Sequence, residues 1–408
     1  MTVVRDRVSA RGWSGRRLLE PRSVGVAGIV LALLGFWLAL PPWTVRWEGL
    51  PIFLGLLAAA LGLWALSRGE RKAGWWAIAL AVVATVGAVW AQGQDETALG
   101  AVLNTGLIAA TLRFATPLAF AAMGGIFSER SGVVNIGLEG MMLMGAFFGI
   151  WGAITTGSWV AGLLIAMVFG GLLALIHAFF SIHLRADQII SGFAMNFLAL
   201  GLTGYLFIHI YGLGGTPTGV PRVPAVSLAF LHDVPLVGGF FGPVFGQLNL
   251  MVWLMLLTVA LSFVVLFKTP LGLRIRAVGE HPKAADTVGI SVYRVRYFAV
   301  VLSGMLAALG GAYISIGFVG SFGQNMTAGR GFIALAAVIF GKWRPIPALG
   351  ACLLFGFGSG LAQRLQTQAD VSVNLISTLP YILVLAALVG VIGRSIAPAA
   401  VGRPYVKQ

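Results

Sequence analysis

Few residues in this chain could do chemistry, and their scarcity makes each one informative. Only 10% of the 408 residues are charged and 58% are hydrophobic. Glu139 interrupts the apolar run that follows Val133, and Asn135 stands four residues before it. On a helix that spacing puts both side chains on one face. A carboxylate in hydrocarbon is costly unless it faces protein or water. Two roles are open for the pair: lining or gating a solute pathway, or fixing two helices together as polar glue, with Arg113 as the partner of Glu139. Gly137 and Gly140 beside them would let a neighbouring helix come close. Gln188, Ser191 and Asn196 open another apolar segment. Uncharged amides and a hydroxyl suit a neutral, hydrogen-bonding solute, and interhelical hydrogen bonds are the equally simple reading. Asn135, Glu139, Gln188, Ser191 and Asn196 are thus the candidate substrate-pathway residues.

Other chemistries find no support. His177 and His209 have no carboxylate or cysteine at ligand spacing, so no metal site is expected and both are read as structural. The single cysteine, Cys352, allows neither an intrachain disulfide nor a thiolate cluster. There is no G-x-x-x-x-G-K-[ST] phosphate loop, and no hydrolase constellation. The chain reads as a non-enzyme without a cofactor of its own.

The elements that must position these residues are membrane helices. A mean hydropathy of +0.93 means more apolar surface than a soluble core could hide. A hydrocarbon layer of about 30 Å needs about 20 apolar residues in a helix, and it tolerates no unpaired backbone. Twelve candidate crossings follow, at 24–40, 50–66, 73–91, 98–126, 133–155, 158–180, 189–211, 248–267, 297–318, 332–340, 346–361 and 375–392. The expected fold is an all-α polytopic transmembrane bundle. Segment 332–340 is short and bracketed by Gly331 and Gly341, which fits a half-helix or re-entrant piece, or else a short helix in a thin region of bilayer.

With twelve crossings and both termini cytoplasmic, all but five of the 27 Lys and Arg residues lie on the cytoplasmic side, as the positive-inside rule requires. Arg46, Arg222, Arg330 and Arg364 lie opposite, and Arg113 falls within a span. The formal charge of +14 is therefore spent on orientation, and no nucleic-acid partner is implied. The basic start followed by an apolar run resembles a secretory signal, but Pro41 and Pro42 directly after the run favour an uncleaved helix. Residues 1–95 form an accessory module of three helices, 96–395 the core, and 396–408 a cytoplasmic tail. The outward stretch 212–247, rich in Gly and Pro, reads either as a docking loop for an extracellular partner or as a plain connector.

Between Lys268 and Arg296 runs KTPLGLRIRAVGEHPKAADTVGISVYRVR. Thr269-Pro270, a break at Gly279 and then Pro282 predict two short helices separated by a turn. Arg274, Arg276 and Lys283 beside small residues could seat in a groove of a soluble partner or meet anionic lipid headgroups.

This segment resembles the cytoplasmic coupling loop of ABC importer permeases for simple sugars, nucleosides and branched-chain amino acids, whose pattern is close to G-x-R-x-R-A-V-G-E-x-P-x-A-A-x-x-x-G-I. The positions that match are Gly272, Arg274, Arg276, Ala277, Val278, Gly279, Glu280, Pro282, Ala284, Ala285, Gly289 and Ile290. Segments 125–147 and 186–206 are also similar to that family, and the resemblance covers about residues 98–395, closest to nucleoside permeases. It implies a cytoplasmic ABC ATPase that hydrolyses ATP in place of this chain and docks at the loop. It further implies a second permease subunit in a heterodimer, a solute-binding lipoprotein, and residence in the plasma membrane. The rival reading is a secondary transporter driven by an ion gradient, which suits twelve helices and an intramembrane Glu but leaves the loop unexplained. A non-transporting scaffold is the third.

Overall fold

Long apolar runs become helices because in lipid every backbone group must be paired within the segment. The computed structural model describes residues 21–39, 49–92, 104–232, 238–368, 378 and 395–407, and these fall into two compact units, 1–104 and 105–408.

In the first unit, α1 (Pro21–Ala39), α2 (Gly49–Ser67) and α3 (Arg71–Gln92) pack on one another. Their shared interior is Ala32, Ala58, Ala81 and Ala84, while Phe53, Leu56, Leu63, Trp75 and Val83 face outward. Small residues inside and large apolar ones outside reverse the order of a soluble bundle, which is what lipid as solvent dictates.

The second unit contains α4 (Thr105–Arg130), α5 (Leu138–Thr156), α6 (Trp159–Ala178) and α7 (Gln188–Tyr211). After an irregular stretch come β1 (Ala225–Ser227), α8 (Gly238–Phe245), β2 (Gln247–Asn249) and α9 (Leu250–Lys268). The short α10 (Pro270–Glu280) and α11 (Pro282–Thr287) lead to α12 (Val292–Ala312), which continues as a π-helical turn over Tyr313–Val319. Last come α13 (Arg330–Phe340) and α14 (Pro345–Gln368). Helix α12 is central, packed on α4, α5 and α6. Glycines permit this: a Cβ on Gly124 of α4 would lie 2.5 Å from the Ser303 carbonyl of α12, and one on Gly310 of α12 would lie 2.6 Å from the Pro117 carbonyl of α4.

Eight of the described helices are long and apolar enough to cross a membrane. They correspond to eight of the twelve expected crossings. Helices α1 and α3 have shorter described apolar stretches. Segment 332–340 is part of α13, a half-helix in length, whose 11 residues rise about 16 Å, about half the thickness of the hydrocarbon layer. The expected crossing at 375–392 lies outside the described residues.

Stretch 212–249 carries a short antiparallel ribbon pairing Ala225 with Asn249 and Ser227 with Gln247, a local feature in an all-α membrane fold. One local expectation is corrected. The helix expected from Val133 starts at Leu138 instead.

Candidate functional site

The link 131–137 between α4 and α5 is irregular backbone inside a helical bundle, and side chains from three surrounding helices satisfy it. The Val134 amide donates to Gln188 Oε1 (2.7 Å) and the Val134 carbonyl lies 3.0 Å from His177 Nε2. That carbonyl obliges Nε2 to carry the hydrogen, and Nδ1 lies 2.9 Å from the Ser191 hydroxyl. Asn196 donates to the Ile136 carbonyl (3.1 Å) and accepts from the Gly140 amide (2.7 Å). Asn135 donates to Ser303 (2.9 Å), and Arg296, 1% exposed, donates to the Ser131 carbonyl (3.2 Å). Non-helical backbone at membrane depth persists only where protein or water supplies such partners.

The predicted residues Asn135, Gln188, Ser191 and Asn196 are thus brought together around one link. Asn135 lies off the helix, so the shared helical face expected for it and Glu139 does not exist. The run Val133, Val134 and Ile136 reads as helix by composition, but Gly132 at φ +92° turns the chain and the side chains above replace the helical ladder.

Glu139 sits in the first turn of α5, only 8% exposed. Its Oε1 accepts from the Thr327 hydroxyl (2.6 Å) and the Gly329 amide (2.8 Å), and its Oε2 accepts from the Gly331 amide (2.6 Å). A carboxylate from one helix therefore caps the N-terminus of the half-helix α13, meeting both its unpaired amides and the positive end of its dipole. Gly331 is required for the approach, because a Cβ there would lie 2.9 Å from Oε2 and closer still to the Glu139 backbone. Among the described residues, Arg113 forms no ion pair with it. Nothing in local spacing links Thr327 and Gly329 to a residue about 190 positions earlier.

Beside the start of α13 lies a cavity of about 300 Å³, lined by Arg113, Phe114 and Pro117 of α4, the π-helical end of α12 and residues 321–326. A second, of about 370 Å³ and shared with α14, has Phe114 and Arg330 in common with it.

The opposite end of α4 carries the predicted coupling loop. Thr269 caps α10, accepting from the Gly272 amide (3.3 Å), with Pro270 in the first turn. The break between α10 and α11 falls at His281, held extended (φ −142°, ψ 77°) before Pro282, as residues preceding proline are. Gly279 is therefore not the break. It is buried within α10 against the Arg130 carbonyl, where any Cβ would collide. Ala285 is buried and Ala277 half-buried, whereas Leu273, Arg274, Glu280, Lys283, Ala284 and Val288 are exposed. Gly289, at φ +85°, ends α11. Arg276 is half-buried, its guanidinium 5.1 Å from the Phe267 ring, which Arg130 (5.8 Å) and Arg344 (5.9 Å) also approach. Arg130 in turn lies 3.9 Å from Glu280.

Residues 395–407 fold against this loop. The Ala400 amide donates to the Gly279 carbonyl (2.9 Å), the Ala399 amide to Glu280 Oε2 (3.1 Å), and Arg296 to the Arg403 carbonyl (3.1 Å). Tyr405 joins Val278, Ala285 and Val292 in a small apolar cluster. Composition alone marked these residues only as a tail.

The arrangement offers two working ends joined by continuous helices: a cavity beside a half-helix at one, and a projecting pair of short helices at the other. No group of three or more potential metal ligands exists among the described residues.

Comparison with known proteins agrees with this anatomy. Residues 107–395 match the family described as branched-chain amino acid transport system / permease component. The guanosine ABC transporter permease protein NupQ of Bacillus subtilis is 45% identical over 74% of this chain and 96% of its own length. The nucleoside ABC transporter permease protein NupC of Lactococcus lactis is 38% identical over 74% of this chain and 97% of its own. A putative glucose ABC transporter permease protein, TsgC13 of Haloferax volcanii, is 39% identical over 64% and 78%. No solved structure matches the chain at a significant level. The chain belongs to this family of membrane permease components and is not an enzyme.

Proposed function

We propose that this permease carries nucleosides inward across the plasma membrane as one subunit of an ATP-binding cassette importer. The observation that carries the reading is the likeness to guanosine and nucleoside ABC permeases over nearly their whole length. Solute arrives from an extracytoplasmic binding lipoprotein and enters beside the half-helix α13. A separate cytoplasmic ATPase seats on the exposed face of α10 and α11, around Arg274, Glu280, Lys283 and Ala284, and hydrolyses the ATP. Its binding biases the subunit between outward- and inward-open states, which requires contacts at that face that differ between them.

The loops at 130, 268–296 and 342–344 gather at one end of the second unit through the Phe267 ring and Glu280, which supports a common cytoplasmic side for them and, with it, cytoplasmic termini. The partner permease is a related but distinct chain. Bacillus subtilis has two guanosine ABC permeases, NupQ and NupP, both similar to this one. Residues 1–95 serve as an accessory membrane module.

The side chains around the link 131–137 act on the pathway indirectly, by holding the start of α5 and the half-helix in place. The test is uptake of labelled guanosine by cells or vesicles carrying the whole transporter. Uptake that persists with ion gradients collapsed and ATP supplied supports the reading; uptake that stops then, or that favours glucose over every nucleoside, sinks it.

A further inference from the structure

We infer that the cavity between α4, the end of α12 and residues 321–326 is a recognition site for the base of a 6-oxopurine nucleoside in transit, with Arg113 reading the base edge and aromatic rings holding its faces. The inference rests on the nucleoside reading above and adds a site to it.

A volume of about 300 Å³ lies at the lower end of small-ligand pockets. Four aromatic rings stand in its walls: Phe114, Tyr313, Phe318 and Phe322. Phe114 meets Phe318 edge-on at 6.1 Å, and Tyr313 stacks with Phe318 at 6.3 Å. Such rings favour a flat heterocycle, and base–aromatic stacking is a strong contact in nucleic-acid sites.

Among the described residues, the polar lining consists of Arg113, Arg330, Tyr313 and Ser321, with no carboxylate. Arg330 gives one guanidinium nitrogen to the Met326 and Thr327 carbonyls (3.0 and 3.1 Å) and is tied to the loop. Arg113 is exposed where it lines the cavity. The Tyr313 hydroxyl, on a residue 2% exposed, lies near Thr116, whose own proton goes to the Leu112 carbonyl, and makes no hydrogen bond of acceptable geometry. The cavity therefore presents donors to an acceptor-rich edge. A guanidinium fork matches the paired O6 and N7 acceptors of guanine, and it does so with a neutral solute, so no ion is trapped. Polyhydroxylated solutes would need acceptors as well, and among the described residues no carboxylate or amide side chain lines the cavity.

The backbone around the cavity points the same way. Pro117 interrupts the hydrogen-bond ladder of α4 beside it, and the end of α12 is wound as a π-helix over Tyr313–Val319, a departure frequent at functional sites.

The experiment measures maximal uptake rates of labelled guanosine, 7-deazaguanosine and cytidine in cells whose only copy of this subunit is wild type, Arg113→Lys or Tyr313→Phe, at matched membrane abundance and saturating solute. Arg113→Lys keeps the charge but loses the fork. It is expected to lower the guanosine rate about tenfold while leaving 7-deazaguanosine, which lacks the N7 acceptor, and cytidine within about twofold. Tyr313→Phe preserves the ring, is expected to reduce guanosine transport about threefold, and carries the test if Arg113→Lys fails to accumulate. Equal loss on all three solutes, or no change, overturns the site while leaving nucleoside transport intact. Absence of any nucleoside uptake in wild-type cells overturns the functional reading itself, and the site with it.

Discussion

Glu139 near the start of the long helix α5 and Glu280 at the end of the short α10 are carboxylates of the same length, and the chain uses them in opposite ways. Glu139 is 8% exposed and surrounded by three donors at 2.6–2.8 Å. The Glu280 side chain is 52% exposed, with one arginine at 3.9 Å and one backbone amide at 3.1 Å. The first is an internal fastener whose removal orphans buried groups. The second faces outward and retains capacity for something that is not part of this chain. An acid in an apolar run is thus no more a transport residue by default than an acid in a loop is mere solubility.

That contrast can be broken by mutation. Glu139→Ala is expected to have the largest effect. It leaves the Thr327 hydroxyl and the Gly329 and Gly331 amides without partners, and at about 1–3 kcal/mol for each buried orphan the subunit should lose roughly 3 kcal/mol or more. The measurement is thermal unfolding in detergent. An unchanged Tm combined with altered transport would make Glu139 a gate and erase the distinction. Gly279→Ala comes next, since the new methyl must displace the Arg130 carbonyl. An overpacking cost of about 1–3 kcal/mol should appear as a lower Tm together with weakened binding of the ATPase, read by co-purification.

Asn196→Ala sharpens the comparison from the link side. It strands the Gly140 amide and the Ile136 carbonyl, which are only partly shielded, and should cost about 1–2 kcal/mol with no change in solute preference. Glu280→Gln should shift stability least, within about 0.5 kcal/mol as for exposed ion pairs. It should nonetheless lower ATP-driven uptake, measured at matched membrane abundance. A large drop in Tm for this variant would show that Glu280 too is a fastener.

Much of the architecture is legible in the sequence because hydrocarbon imposes one rule on the backbone. Long apolar runs with few charges had to become helices, and the shortness of α13 is legible from its flanking glycines. The two short helices of 268–296 are legible through Thr269, Pro270 and Pro282, whose local effects do not depend on the rest of the fold. What stayed hidden is tertiary. The apolar letters of Val133, Val134 and Ile136 are compatible with helix, and only the amides and imidazole brought by α6 and α7 make another conformation affordable. Gly279 looked like a turn residue, yet the position is glycine because α10 presses on Arg130. Arg113, Phe114 and Tyr313 come together across 200 positions, and no periodicity connects them.

The bond between Glu139 and α13 restricts how the subunit can move. With three hydrogen bonds spanning the junction, α5 and the half-helix travel as one rigid body, so any widening for cargo has to occur along other seams, such as the one where α4 faces residues 321–326. A cross-link engineered between α5 and α13 should therefore be tolerated during turnover, whereas a thiol-cleavable bifunctional reagent spanning the cavity from Phe114→Cys to Phe322→Cys should freeze it until a reductant is added.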